Sequence, residues 1–214
     1  MPWPIVLLTA VGTGVAGAAL TPWARRLAAT DSAWVSRRTP VLVAVLAGAG
    51  VATLASSWAE LVAFALLAVA CALLVAIDLA VYRLPDRIIG PTYVLFLGAL
   101  TIASAVEGDF SRLGRAAAAA GIVTFAYFVL ALISPSGIGL GDVKLSGLLG
   151  GFLGWLGWSE VVLGTLAAFA LGGVLALLLL VTGAANRHSA FPFGPWMVAG
   201  TGVGAVWGAA LVGG

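Results

Sequence analysis

Apolar residues run along this chain in long blocks broken by short polar stretches. The blocks fall at 4–22, 40–56, 60–78, 88–106, 114–134, 143–157, 161–182 and 195–213. Most approach the roughly 20 residues that carry a helix across the hydrocarbon core. The pattern therefore predicts an all-α, polytopic membrane helix bundle of about eight transmembrane helices. The block at 143–157 is short and glycine-rich, so a tilted or incomplete span is expected there. The first block lacks the positive flank of a cleavable signal peptide and reads as a helix that stays. Gly200, Gly204 and Gly208 form a row at helix spacing, and Gly147, Gly150, Gly151 and Gly154 share one face of the sixth block. Small residues let helix backbones approach closely in lipid, so these rows predict packing rather than a site.

Composition sharpens this picture. Of the 214 residues 62% are hydrophobic and 8% charged, against about a quarter charged in a soluble domain. A disordered chain, a coiled coil and a water-soluble globule are excluded. The chain reads as one membrane-embedded domain over 1–214. Residues 1–59 form a shortened N-terminal part with an Arg-rich loop at 23–39, and 60–214 form the helices that carry the candidate chemistry. The net charge of +2 is spread thinly and offers no nucleic-acid-binding surface. Cys71 stands alone, which excludes a disulfide framework and a Cys-x-x-C metal site. His188 is the single histidine, expected in a solvated loop. Neither a metal nor a cofactor is expected.

Orientation follows from the basic residues. With eight alternating spans, one side receives Arg25, Arg26, Arg37, Arg38, Arg83, Arg87, Lys144 and Arg187, and the other Arg112 and Arg115. Positive residues concentrate on the cytoplasmic side. Both termini are thus expected outside. Trp3, Trp23, Trp58 and Trp196 lie near span ends, as an aromatic belt would place them.

Ionisable residues at the membrane boundary carry the candidate chemistry. Asp78 ends the third block and opens D-L-A-V-Y-R-L-P-D, which closes at Asp86. Asp142 opens the sixth block within G-I-G-L-G-D-V-K-L. On the expected topology both lie at the cytoplasmic boundary. Gly137, Gly139 and Gly141 would let the backbone bend before Asp142. An Asp there also serves as a helix cap, and an Asp at the end of a span is ordinary. Asp86 follows Pro85, a turn signal, and reads as structural. Two aspartates brought together can share a proton, so that one activates water and the other protonates a peptide carbonyl. Lys144 either supplies charge beside such an aspartate or substrate, or snorkels to the headgroups. Pro192, Gly194 and Pro195 either line a groove or form a turn before the last helix.

These residues resemble a known family. G-L-G-D at Gly139 to Asp142 is similar to the GxGD motif of type IV prepilin peptidases. Asp78 with Asp86 eight positions on, after Pro85, resembles the other half of that family's site. F-P-F-G-P at Phe191 to Pro195 is similar to the family's P-F-G-P before its last helix. The three agree in order and spacing over residues 60–214. The resemblance implies a membrane aspartyl endopeptidase of the inner membrane. It would remove the short basic leader of a prepilin or pseudopilin at the cytoplasmic face, with Asp78 and Asp142 as the catalytic pair. Longer members carry a zinc-binding domain with two Cys-x-x-C pairs and N-methylate the new N-terminus. Here Trp23 to Thr39 stands in its place, so the short, peptidase-only form is expected. The alternatives are another GxGD protease acting on an archaellin-type leader, and a small proton-coupled transporter. The transporter would place its carboxylates at mid-membrane rather than at one boundary.

Overall fold

The structure, a computed structural model, describes residues 1–36, 38–134, 137–183 and 191–211. Among these residues it holds eight α-helices and no strand. They are α1 (Trp3–Ala28), α2 (Arg38–Leu54), α3 (Trp58–Val81), α4 (Asp86–Glu107), α5 (Ser111–Ile133), α6 (Leu140–Leu156), α7 (Trp158–Val181) and α8 (Gly194–Trp207). Each expected span coincides with one helix. Helices α1, α3, α4, α5 and α7 are long and apolar enough to cross a membrane. The protein is an all-α, polytopic membrane helix bundle. It divides into two compact units, residues 1–114 and 115–214. Arg37, Arg187 and His188 lie outside the described residues.

In the first unit α3 is the centre. Its residues from Ala70 to Asp78 are buried without interruption, as an all-round apolar sequence requires of a helix enclosed by others. Helices α1 and α2 meet through small residues. A Cβ on Gly17 would come within 3.2 Å of the Pro40 carbonyl oxygen. The Thr13 hydroxyl donates to the Ala44 carbonyl at 2.8 Å, satisfying a polar group inside the contact. Glu60, 0% exposed, lies in the first turn of α3. It accepts from the Ser56 amide at 2.8 Å and the Ser56 hydroxyl at 2.7 Å and forms an ion pair with Arg112.

The Arg-rich segment departs from expectation, since much of 23–39 is helical. Helix α1 continues to Ala28 and stops where Ala29 turns left-handed at φ 48. A 3-10 turn follows at Ala33–Val35, and α2 begins at Arg38. Arg25 Nε donates to the Val35 carbonyl at 2.7 Å, which folds the connection back on the end of α1. Charge marks where a chain leaves lipid, not where helical hydrogen bonding stops. Ala24, Leu27 and Ala28 are good helix formers and sustain it.

In the second unit the glycine rows pack as expected. A Cβ on Gly150 would meet Val123 and the Ala119 carbonyl of α5 at 3.0–3.1 Å. A Cβ on Gly204 would lie 2.6 Å from the Glu160 carbonyl and the Gly164 Cα of α7. Helix α6 is unbroken, but at 17 residues it is not among the helices long and apolar enough to cross a membrane, in line with the short span expected there. It is continuous and buried from Leu145 through Trp155, because its glycines seat it among its neighbours. Its C-terminal end is held by Arg115 of α5. Nε donates to the Gly154 carbonyl at 2.7 Å and Nη2 to the Trp155 carbonyl at 2.9 Å. A cation there also complements the negative end of the helix dipole.

Among the expected belt tryptophans, Trp3, Trp23 and Trp58 are exposed. Trp196 is the exception. It is half-buried and stacks on Phe191, with ring centroids 6.4 Å apart, so it serves packing at the start of α8.

Candidate active site

Asp78 and Asp86 flank one connection in the first unit. Asp78 sits in the last turn of α3 and is 4% exposed. The helix runs one turn beyond the expected end of the span. It closes at Tyr82, which adopts the left-handed conformation at φ 53 and donates its amide to the Asp78 carbonyl at 2.9 Å. A non-glycine residue at positive φ is uncommon. That turn sends the chain away immediately after the aspartate. Pro85 then takes the N-cap position of α4, and Asp86 is the first helical residue. Asp86 is exposed. Its carboxylate suits the positive end of the α4 dipole.

Asp142 lies in the first turn of α6 and is 9% exposed. It is the third helical residue, not the cap itself. Gly139 is the N-cap, and its amide donates to Asp142 Oδ2 at 3.0 Å. That bond satisfies one of the amides left without a partner at a helix start and holds the carboxylate in one position. Gly139 does not use the conformational freedom expected of it. Its backbone is extended at φ −80, ψ 157, open to any residue, and a Cβ there would sit 3.5 Å from Asp142 Oδ2, an ordinary contact. Gly141 falls inside the helix between Gly139 and Asp142. Lys144 is exposed, and two positions on from Asp142 it projects from another side of α6.

The segment Phe191 to Pro195 meets the same end of the second unit. Gly194 and Pro195 open α8, where proline's missing amide costs no helical bond. Phe193 packs its ring 5.3 Å from Phe169 and 6.3 Å from Tyr127, and Tyr127 lies 5.2 Å from Phe169. Gly172 makes room, since a Cβ there would come 2.9 Å from the Phe193 ring. Tyr127 is also within electrostatic reach of Asp142. The structure thus gathers Asp142, Tyr127 and the Pro192–Gly194–Pro195 turn at one end of α5, α6 and α8. Pro192 is half-buried in that turn.

Sequence reasoning missed several of these groups. Tyr127 and Phe169 lie in apolar runs with nothing to mark them. Glu60 and Arg112 are 52 positions apart, and no local signal pairs them. Among the described residues no three histidine, cysteine, aspartate or glutamate side chains form a metal-sized cluster. Cys71 is buried in α3 and acts as a small apolar side chain.

A family profile described as the type IV leader peptidase family matches residues 65–177. The prepilin leader peptidase/N-methyltransferase of Aeromonas hydrophila is 31% identical over 194 residues, 87% of this chain and 64% of that protein. The protein of the same name from Burkholderia pseudomallei (strain K96243) is 35% identical over 161 residues, 72% of this chain and 49% of that protein. The chain therefore spans about half to two thirds of the length of the curated relatives it matches. No solved structure matches it significantly.

Proposed function

Because this chain belongs to the type IV leader peptidase family, we propose that it is a membrane aspartyl endopeptidase. Its substrate would be a type IV prepilin or pseudopilin, from which it removes the short basic leader. One observation carries the reading. The family match takes in both Asp78 and Asp142, and each is a carboxylate buried at a helix end in its own unit. If all eight helices cross in turn, as the sequence pattern predicts, α6 would start from the side at which α3 ends, and arginine counting would make that side cytoplasmic.

In the proposed mechanism the two carboxyl groups share one proton. The ionised group takes a proton from water as the water oxygen attacks the scissile carbonyl carbon. The protonated group gives its proton to the carbonyl oxygen. The tetrahedral diol then collapses, the C–N bond breaks, and the leaving nitrogen takes the proton first removed from water. The diol's hydroxyl proton returns to the second carboxyl group, which restores the starting state. Residues 60–214 would supply this chemistry. Only peptide hydrolysis is proposed; the methyltransferase activity in the relatives' names is not carried over.

The test is cleavage of a prepilin-like precursor with a basic leader, by wild type and by Asp78→Asn, Asp142→Asn and Asp86→Asn in detergent. In Asp142→Asn the new side-chain amide oxygen can still accept from Gly139, so the α6 start is retained. The first two variants should each lose about 10²–10⁴-fold in rate with unchanged melting, and Asp86→Asn should retain most of it. Near-normal cleavage by either of the first two would refute the pair. A wild type that cuts no leader would refute the substrate.

A further inference from the structure

We propose that the first unit binds one anionic glycerophospholipid in a groove between α1, α3 and α4. The groove has a volume of about 700 Å³ and an almost wholly apolar lining. It follows α3 from Trp58 to Leu73, about 22 Å at the helical rise of 1.5 Å per residue. A long, open, apolar groove lying along a helix suits a hydrocarbon chain.

Charge names the head. Arg87, in the first turn of α4, lines the groove at the Leu73 end, together with Trp23 of α1. Its side chain is exposed and makes no ion pair with a described acidic residue. Arg26 follows Trp23 by three positions and so continues the same face of α1, also exposed. One guanidinium group and an indole thus mark one end of an apolar slot, with Arg26 one turn further along α1. Guanidinium presents a planar fork of donors that matches phosphate oxygens, and indole favours the headgroup level. At the other end Trp58 stands without a cation among the lining residues. The slot is polarised as a phospholipid is, with anionic head at Arg87 and hydrocarbon toward Trp58. This site is independent of the peptidase reading and uses neither Asp78 nor Asp142.

The test is native mass spectrometry of the full chain released from nanodiscs of phosphatidylglycerol and phosphatidylcholine in equal parts. Wild type should retain phosphatidylglycerol in preference to phosphatidylcholine. Gly12→Phe puts a ring into the groove from α1, at a glycine whose Cβ would meet nothing within 4 Å, and should abolish the bound lipid. Gly98→Phe, an equally open glycine of α4 outside the groove, should keep it. Arg87→Gln should lower the preference for the anionic lipid about fivefold, the attraction of one basic residue for an anionic surface. Retention of phosphatidylglycerol by Gly12→Phe, or loss by Gly98→Phe as well, would overturn the site. So would unchanged lipid in Gly12→Phe with slower cleavage of a precursor, which would assign the groove to the substrate's own helix.

Discussion

Replacing Gly204 with alanine should force α8 off α7, whereas the same change at Gly202 should not. Both glycines lie inside α8. A Cβ at 204 would sit 2.6 Å from two backbone atoms of α7, the Glu160 carbonyl oxygen and the Gly164 Cα. Carbon atoms rest about 3.5–4.0 Å apart, so the helices must separate by about 1 Å. Backbone cannot swing aside as a side chain can, and the gap opens along the whole row that Gly200 and Gly208 share. A radial gap of about 0.5–1 Å already forfeits a quarter to a half of each contact's attraction. Overpacking of this kind costs about 1–3 kcal/mol. For a chain of this size that lowers the melting temperature by about 2–4 °C per kcal/mol. At Gly202 nothing lies within 4 Å of the new methyl group. There the change should instead contribute about 0.5–1 kcal/mol, because alanine loses less backbone freedom in a helix. The assay is a pair of thermal melts in one detergent. A Gly204→Ala protein as stable as wild type, or a Gly202→Ala protein destabilised equally, would refute the account of the α7–α8 contact.

Two further changes probe the buried polar anchors. Arg115→Ala should leave the last carbonyls of α6 without donors and cost about 1.5–3 kcal/mol, as bonds to a charged group do; hydrogen exchange across residues 153–157 should rise well above that in the rest of α6. Arg115→Lys should recover part of this, since a single ammonium cannot reach three carbonyls in fixed geometry as the guanidinium does. Glu60→Gln should cost about 2–3 kcal/mol, somewhat below a fully enclosed pair, because the Arg112 side chain is 26% exposed. Glu60→Gln with Arg112→Met should melt above Glu60→Gln alone; if it does not, the ion pair is not what the single change removes.

The number and order of the helices were legible because each is an apolar block bounded by polar residues. Their ends were less so. Asp78 closes the third block, yet α3 hydrogen-bonds on to Val81, since backbone geometry at Tyr82, not the carboxylate, stops it. The same distinction hid the end of α1 behind Arg25 and Arg26. The glycine row of α8 could be read as a packing face, but not that α7 is its partner, which depends on chain folding rather than local spacing. At the candidate site the motifs marked Asp142 and the turn at Phe191–Pro195. They did not mark Tyr127 and Phe169, which connect to that turn through ring contacts invisible in an apolar run. Gly139 shows the opposite error. Its motif position invited a conformational reason, and its backbone turns out to need none.

Arg112 and Arg115 stand one turn apart at the start of α5, yet their partners differ in order of synthesis. Glu60 precedes Arg112 along the chain, so when the ribosome delivers Arg112 its carboxylate already exists. The carbonyls that receive Arg115 belong to residues 154–156, which are not yet made. One arginine meets a carboxylate made before it, while the other's acceptors are made only after it. The start of α5 is thus secured from both directions along the chain, by α3 before it and by α6 after it.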